Sequence, residues 1–315
     1  LKELIVISGK GGTGKTSLVA SFACLAQHAV VVDCDVDAAD LHLVLDSRIA
    51  SSEPFKGGNK AWIQAGRCLA CGKCAELCRY DAIRMDGPGN GDVSVTYRVA
   101  TLACEGCGVC FDHCPERAIE FEPAVCGQWY VSHSAFGPLI RARLDVAAEN
   151  SGKLVAHLRR AARQLATEQQ RDLILCDGSP GIGCPVIASI TGASLVLFVA
   201  EPTRSGVHDF LRVAELARRL GVPGMLAVNK ADLNIELTET LEELARQRGI
   251  VVGGRVPYDL SVTRALVARQ CVVEASDGPA AQAIRHLWDA AVERLGFTRR
   301  VETRPPVLVD LSTGA

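Results

Sequence analysis

The sequence predicts an α/β protein: a doubly wound, mostly parallel sheet interrupted by a smaller α+β insert. Three observations predict it. Short apolar runs alternate with stretches of helical periodicity at both ends of the chain. A glycine-rich turn follows the first apolar run directly. Two dense cysteine runs break the alternation between residues 67 and 121. The length of 315 residues suits about two domains. A hydrophobic content of 48% with only 5% aromatics favours an Ala/Val/Leu-rich α/β core over an all-β sandwich.

In order along the chain, Leu4–Ile7 reads as a buried strand, about Gly14 to Gln27 as a helix, and Val30–Asp33 as a second buried strand. A short segment, Leu41–Leu45, comes next. Ser51–Gly58 is polar and turn-prone, which predicts a linker, and Gly127–Pro138 reads as irregular. From Asn150 the rhythm resumes. Helices are predicted over Ser151–Gln169, Val207–Leu220, Leu237–Gln247 and Ala280–Arg294. Strands are predicted over Leu173–Asp177, Leu195–Ala200, Gly224–Asn229 and Ile250–Val256. The expected organisation is a main domain over 1–58 and 124–297, an insert over 59–123, and an extended tail over 298–315 that carries Pro305 and Pro306.

The net charge of −2 and the absence of a basic stripe argue against a nucleic-acid groove. The basic residues of Leu158–Arg163 are expected on a solvated helix face. There is no signal-peptide pattern and no apolar run of about 18 residues, so a cytoplasmic protein without membrane insertion is expected. In that setting the fourteen cysteines read as metal ligands rather than disulfides.

Gly9-Lys10-Gly11-Gly12-Thr13-Gly14-Lys15-Thr16, with Ser17 after it, fits the phosphate-loop pattern G-x-x-x-x-G-K-[ST] and follows an apolar strand. Glycines let backbone N–H groups turn toward phosphate oxygens, and the helix N-terminus adds its positive dipole end. Lys15 is expected on the β- and γ-phosphates and Thr16 on Mg²⁺. Asp33 and Asp35 follow the second strand, where a carboxylate can hold Mg²⁺-bound water or orient the attacking water. Leu173–Asp177 is an apolar strand ending in Asp, followed by the flexible Gly178–Pro185. Asp37 and Asp40 are assigned to a loop or a helix cap.

The cysteines run Cys68-x2-Cys71-x2-Cys74-x3-Cys78 and Cys104-x2-Cys107-x2-Cys110-x3-Cys114-Pro115, a unit repeated at an offset of 36 residues. This resembles the bacterial two-cluster ferredoxin pattern. It implies one [4Fe–4S] cluster on Cys68, Cys71, Cys74 and Cys114, and a second on Cys78, Cys104, Cys107 and Cys110. Zinc sites generally use two C-x2-C pairs set further apart. Arg79 stands where proline would follow Cys78, and a cation there would raise the potential of the nearby cluster. Gly87–Asp92 is expected in a hairpin between the runs. Of the remaining cysteines, Cys24, Cys34 and Cys176 read as small core residues. Cys126 and Cys271 have no partner spacing, Cys184 sits after the Asp177 strand, and His113 reads as a neighbour of a cluster.

Lys10, the early second lysine, makes the loop similar to the deviant Walker A family of MinD and ParA ATPases and the nitrogenase iron protein. Asp35-Val-Asp37-Ala, Gly137-Pro138-Leu139, Asn150-Ser-Gly-Lys153-Leu and Glu201-Pro202-Thr203 extend the likeness over nearly the whole chain, to MinD-superfamily ATPases with an inserted ferredoxin domain. Asn150–Lys153 reads on its own as a capped helix start. The resemblance implies a nucleotide-dependent homodimer in which Lys10 reaches the partner's phosphates. It also implies Asp35 in hydrolysis, Asp33 and Asp177 near Mg²⁺, and Asn229 with Pro257-Tyr258-Asp259 around adenine. Asn229-Lys230-Ala231-Asp232 also resembles the guanine motif N-K-x-D; ATP is favoured. A third cluster through Cys184 is disfavoured, since its spacing from Asp177 does not match the nitrogenase iron protein.

The implied function is an ATPase that couples nucleotide state to electron transfer toward a redox partner. Alternatives are an iron–sulfur carrier that serves a cluster-accepting protein, and a MinD-like positioning switch. The insert lies between Asp35 and Asp177, so a nucleotide-driven movement near Asp35 would be felt by the cysteine runs.

Overall fold

The computed structural model describes residues 1–26, 28–36, 38–145 and 150–297. The expectations for Asp37 and for the 298–315 tail lie outside these residues. The chain starts with β1 (Lys2–Ile7), crosses over through α1 (Lys15–Ala26) and returns in β2 (Ala29–Asp33), followed by the single turn α2 (Leu41–Val44). Then come β3 (Arg48–Ile63), α3 (Lys73–Glu76), β4 (Ile83–Gly87), β5 (Thr96–Val99), α4 (Val109–Asp112), β6 (Ile119–Ser134) and β7 (Gly137–Leu144). The second half alternates regularly: α5 (Ser151–Glu168), β8 (Leu173–Asp177), α6 (Cys184–Ile190), β9 (Leu195–Ala200), α7 (Arg204–Arg219), β10 (Gly224–Asn229), α8 (Ile235–Gln247) and β11 (Val251–Val256). It closes with α9 (Leu260–Val267), α10 (Val272–Ala275) and α11 (Pro279–Leu295).

One nine-stranded sheet has the order β11-β10-β9-β1-β8-β2-β7-β6-β3. The strands from β11 to β7 pair in parallel, and β6 and β3 add antiparallel strands at one edge. β2 and β8 are buried at every position because helices cover both faces of the sheet. On one face Leu154, Val186, Phe210 and Leu241 pack down from α5, α6, α7 and α8. On the other, Phe22 of α1 meets Trp288 of α11 with ring centroids 5.1 Å apart.

Three expectations are corrected. Ser51–Gly58 is not a linker but part of β3, and most of Gly127–Pro138 lies in β6 and the start of β7. β3 and β6 pair antiparallel from Arg48 opposite His133 to Ile63 opposite Ile119. The misreading has a physical cause: β3 is a sheet edge whose first seven residues are exposed, so no apolar alternation marks it. Its charged residues and Pro54 are typical edge protection. Third, Arg159 is not solvated. It is 3% exposed, pairs with the buried Glu3 and donates to the carbonyls of Ala188 and Thr191 at 2.7 Å each.

β7 accompanies β6 only over Gly127–Ser134. Beyond it the β3–β6 ribbon continues alone and carries the cysteine unit, which has its own small core of Ala61, Ala82, Ile83, Val99 and Ile119. The expected hairpin is there as the β4–β5 pair. Both insert boundaries, 58/59 and 123/124, therefore fall inside continuous strands. Among the described residues no helix is long and apolar enough to cross a membrane.

Candidate functional site

The C-terminal ends of the parallel strands bring the predicted phosphate-site residues together, where ligands of open α/β sheets bind. Gly9–Gly14 turns from β1 into α1, and two of its glycines are required by the geometry. A Cβ on Gly9 would lie 2.2 Å from Asp209 Cβ, and Gly14 has φ +84° with Asn229 Nδ2 2.4 Å from where a Cβ would be. Lys15, the first residue of α1, is buried, and its ammonium donates to Asp177 Oδ1 at 2.8 Å and lies 3.5 Å from Asp35 Oδ2. The Thr16 hydroxyl donates to Asp177 Oδ2 at 2.7 Å. Ser17 follows, half-buried, its carbonyl accepting from the Ser21 hydroxyl at 2.8 Å.

Asp33 and Asp177 end β2 and β8 directly opposite one another. Burial, and then the neighbouring Asp177 carboxylate, push Asp33 well above the usual carboxylate range, against the pull of Lys15. Burial would lower the Lys15 pKa, but Asp177, Asp35 and Asp33 outweigh it and the net shift is upward. Such a carboxylate pair at a phosphate loop has the chemistry of a Mg²⁺ site. Among the described residues the buried Thr13 hydroxyl has no hydrogen-bond partner, an orphan polar atom in the middle of the loop. The residues present therefore fit a Mg-nucleotide.

Asp40 stands at the N-cap of α2 without a side-chain capping bond. Asp40 thus holds the expected cap position, but the capping bond comes from elsewhere: the Leu41 N–H donates to Asp33 Oδ2 at 3.2 Å, and the Asp35 N–H donates to Asp33 Oδ1 at 3.1 Å. Asp33 thus organises the loop that bears Asp35. The loop after β8 is tied to the same region, since Gly181 N–H donates to Ser8 O at 3.0 Å and the Ser179 hydroxyl to Cys34 O at 2.7 Å. Asn150 is at the N-cap of α5 with φ +81° and no side-chain capping bond.

Lys10 is turned within its own subunit, 3.3 Å from Glu201 Oε2, while Lys230 donates to Glu201 Oε1 at 2.6 Å. Glu201 stood only in a matching tripeptide, and no local pattern marked it as the partner of two lysines. Asn229 Nδ2 donates to Thr13 O at 2.7 Å, so the end of β10 is clamped to the phosphate loop. Asp232 Oδ1 accepts from Tyr258 N–H at 2.6 Å, which joins the two predicted base loops. Pro257 is half-buried and Tyr258 exposed. The Asp259 carboxylate caps α9 through Ser261 N–H at 2.8 Å and also accepts from Ala280 N–H at 3.4 Å.

The eight run cysteines gather around two cavities. Cys68, Cys71, Cys74 and Cys114 line one, and Cys78, Cys104, Cys107 and Cys110 line the other. Each run turns into its short helix through a left-handed glycine, Gly72 at φ +79° and Gly108 at φ +80°, where a side chain would be strained. The repeat is also geometric: Ala82 N–H donates to Cys78 Sγ at 3.4 Å and Ala118 N–H to Cys114 Sγ at 3.3 Å. The Lys60 ammonium, from β3, donates to the Cys104 carbonyl and pins the second run to the ribbon. Burial, with nearby thiols adding, pushes Cys74 up to about 11 and Cys110 in the same direction. His113 is exposed at the end of α4. Cys34, Cys126 and Cys176 are core residues, Cys184 is exposed at the start of α6, and Cys24 and Cys271 lie together despite their sequence separation.

The profile of the CobQ/CobB/MinD/ParA nucleotide binding domain matches residues 4–270. Uncharacterized protein MJ0578 of Methanocaldococcus jannaschii is 30% identical over 302 residues, 93% of this chain and 97% of that one. MJ0579 of the same organism is 24% identical over 247 residues, 75% and 84% of the two chains. Among solved structures, the cell division ATPase MinD of Pyrococcus furiosus superimposes with a TM-score of 0.55 at 16% identity, over 93% of this chain and 98% of that one. The septum site-determining protein MinD of Pyrococcus horikoshii, complexed with Mg-ADP, gives 0.54 at 15% identity over 92% and 95%. The chain belongs to the CobQ/CobB/MinD/ParA family of P-loop nucleotide-binding domains.

Proposed function

We propose that the chain binds and hydrolyses Mg-ATP, holds two [4Fe–4S] clusters, and uses its nucleotide state to govern electron transfer to a partner protein. The observation that carries this reading is the exchange of fourth cysteines: Cys114 closes the cavity of the first run and Cys78 that of the second. Two independent single-ion sites have no need of that exchange, whereas two-cluster ferredoxin spacing requires it. Sulfur spacing supports the same reading. Thiolates around one zinc ion sit ~3.8 Å apart, given Zn–S bonds of about 2.3 Å. Among the described residues, the group that brings three ligand atoms within 4.8 Å of one another lies elsewhere, at Cys24, Cys271 and Glu274.

When bound, the clusters supply one-electron redox chemistry. The protein's part is to hold them. Burial raises the thiols of Cys74 and Cys110, so loading at these two releases protons to solvent.

At the nucleotide site, the backbone of Gly9–Thr16 cradles the phosphates. Lys15 exchanges part of its contact with Asp177 for the β- and γ-phosphates. Thr16, with Asp33 and Asp177 beside it, serves Mg²⁺, and Asp35 orients the attacking water. Asn229 and the Pro257–Asp259 loop frame the base. Lys10 leaves Glu201 for the nucleotide of a second subunit, so ATP favours a homodimer.

The coupling rests on chain continuity. The Asp33–Leu41 hydrogen bond holds the start of α2, and β3 begins four residues after that helix ends. A change in the Asp33–Asp35 loop is thereby passed to the ribbon that carries the cysteines. Only a difference in interaction between the two nucleotide states drives such a change. A second reading, delivery of clusters to an acceptor protein, is favoured by the exposure of Cys71 and Cys107.

The test is anaerobic purification with iron and sulfide counts. About eight irons per chain are expected. Iron near zero with stoichiometric zinc would sink the cluster reading. Intact clusters that pass rapidly to an apo-acceptor, with redox behaviour indifferent to MgATP, would favour the second reading.

A further inference from the structure

We propose that Cys24, Cys271 and Glu274 form a third, separate metal site, for a zinc-class divalent ion. The two sulfurs and a Glu274 carboxylate oxygen all lie within 4.8 Å of one another. The three residues come from two segments distant in sequence: Cys24 from the last turn of α1, and Cys271 and Glu274 from the N-cap and body of the short helix α10. The site is graded from core to solvent. Cys271 is 1% exposed, Cys24 is half-buried and Glu274 is exposed, so an ion held by all three keeps a side open to water.

The donor set selects the ion. Two soft thiolates and one carboxylate favour zinc-class cations over Mg²⁺, which prefers an all-oxygen shell. The site would therefore not compete with the nucleotide's Mg²⁺. The close spacing of its donors also sets it apart from the two cysteine-lined cavities. Cys271 now donates its S–H to the Ala20 carbonyl at 3.3 Å. Ala20 lies inside α1, so its carbonyl keeps its helical bond when that proton goes. Glu274 makes no ion pair among the described residues, so its carboxylate faces the two sulfurs without a cation. The neighbouring Cys24 thiol, and then burial, push the Cys271 thiol above its ordinary range.

Binding joins two halves of the nucleotide site. Cys24 is on the helix that starts with Lys15 and Thr16, and the 271–274 segment follows α9, which Asp259 of the base loop caps. An ion here fixes the phosphate-side helix to the base-side segment. Loading displaces two thiol protons to solvent and involves no electron transfer.

The test uses the full chain, purified anaerobically and titrated with Cd²⁺ as the probe, reading the ultraviolet sulfur-to-cadmium absorbance and the bound stoichiometry. The eight run cysteines are the same in every variant, so differences report this site alone. The parent is expected to bind one more cadmium than C24S or C271S. E274Q, a change at an exposed side chain that leaves the fold intact, is expected to keep the absorbance with affinity lower by about tenfold or more, since even outer partners of metal ligands cost that much. Equal stoichiometry in the parent and both cysteine variants, unchanged affinity in E274Q, or a Cys24–Cys271 disulfide in the parent would each overturn the proposal.

Discussion

Lys10 and Glu201 form an ion pair at 3.3 Å within one subunit, and Glu201 is shared with Lys230 at 2.6 Å. The lysine that is proposed to act across a dimer is thus parked at home when the subunit is alone. Opening the pair costs little, because Lys10 is about one-third exposed and solvent screens the interaction. Lys10→Ala is expected to abolish the MgATP-dependent dimer and to slow hydrolysis by about 100-fold or more, the usual cost of losing one charge at the reacting phosphate. ATP binding to the monomer should remain. Light scattering with a non-hydrolysable analogue, beside steady-state turnover, checks both parts.

Asp35 is proposed to have a different task. Its carboxylate is 3.5 Å from Lys15 and its N–H is held by Asp33. Asp35→Ala is expected to lower turnover by about 100-fold or more, the typical contribution of a positioned acid–base group, with ATP affinity close to the parent's. Turnover at the parent rate would remove Asp35 from the mechanism.

The exchange of fourth cysteines makes a prediction that adjacent ligands would not. Cys114 belongs to the second run but lines the first cavity, with Cys68, Cys71 and Cys74. Cys114→Ser should therefore perturb the proposed cluster of the first run and spare the other, and Cys78→Ser should do the reverse. Electron paramagnetic resonance of each variant, with site-by-site comparison to Cys68→Ser and Cys104→Ser, checks the assignment. If Cys114→Ser matches Cys104→Ser instead, the crossing is wrong.

Acid sensitivity should reach the base loop through Glu242. Bidentate hydrogen bonding from Arg255, with Arg246 adding, holds the Glu242 carboxyl below the usual range. A depressed carboxylate pKa gives stability that is present above the unfolded-state value near 4.5 and lost as pH falls through the folded-state value. Arg255 is two residues before Pro257, so Glu242→Gln should loosen that loop as well. At neutral pH it is expected to cost about 1 kcal/mol, discounted because both arginines are substantially exposed. It should also flatten the acid limb of the stability profile and weaken ATP binding modestly. Denaturant melts across pH 3–7 with parallel nucleotide titrations measure it.

What the sequence revealed follows from where the signals are local. The phosphate loop and both cysteine runs are contiguous patterns: the loop forms one turn, and each run lends three cysteines to one cavity and its fourth to the other. The β8, β9 and β10 boundaries matched because those strands are continuously apolar. The β3–β6 ribbon was hidden because an exposed edge strand needs neither apolar alternation nor β-rich composition; its pairing is long-range. The same holds for Cys24 with Cys271, and for Arg159 with Glu3, where a charged residue on a helix gave no sign of its buried partner on β1. Glu201 needed the fold to bring two lysines to it.

The central claim is that nucleotide state reaches the clusters. A potentiometric titration of the anaerobic protein, followed by electron paramagnetic resonance with and without a non-hydrolysable MgATP analogue, tests it most directly. A shift in at least one cluster's potential on nucleotide binding, abolished by Lys10→Ala, is the predicted result. Two clusters that titrate identically in both conditions would contradict it.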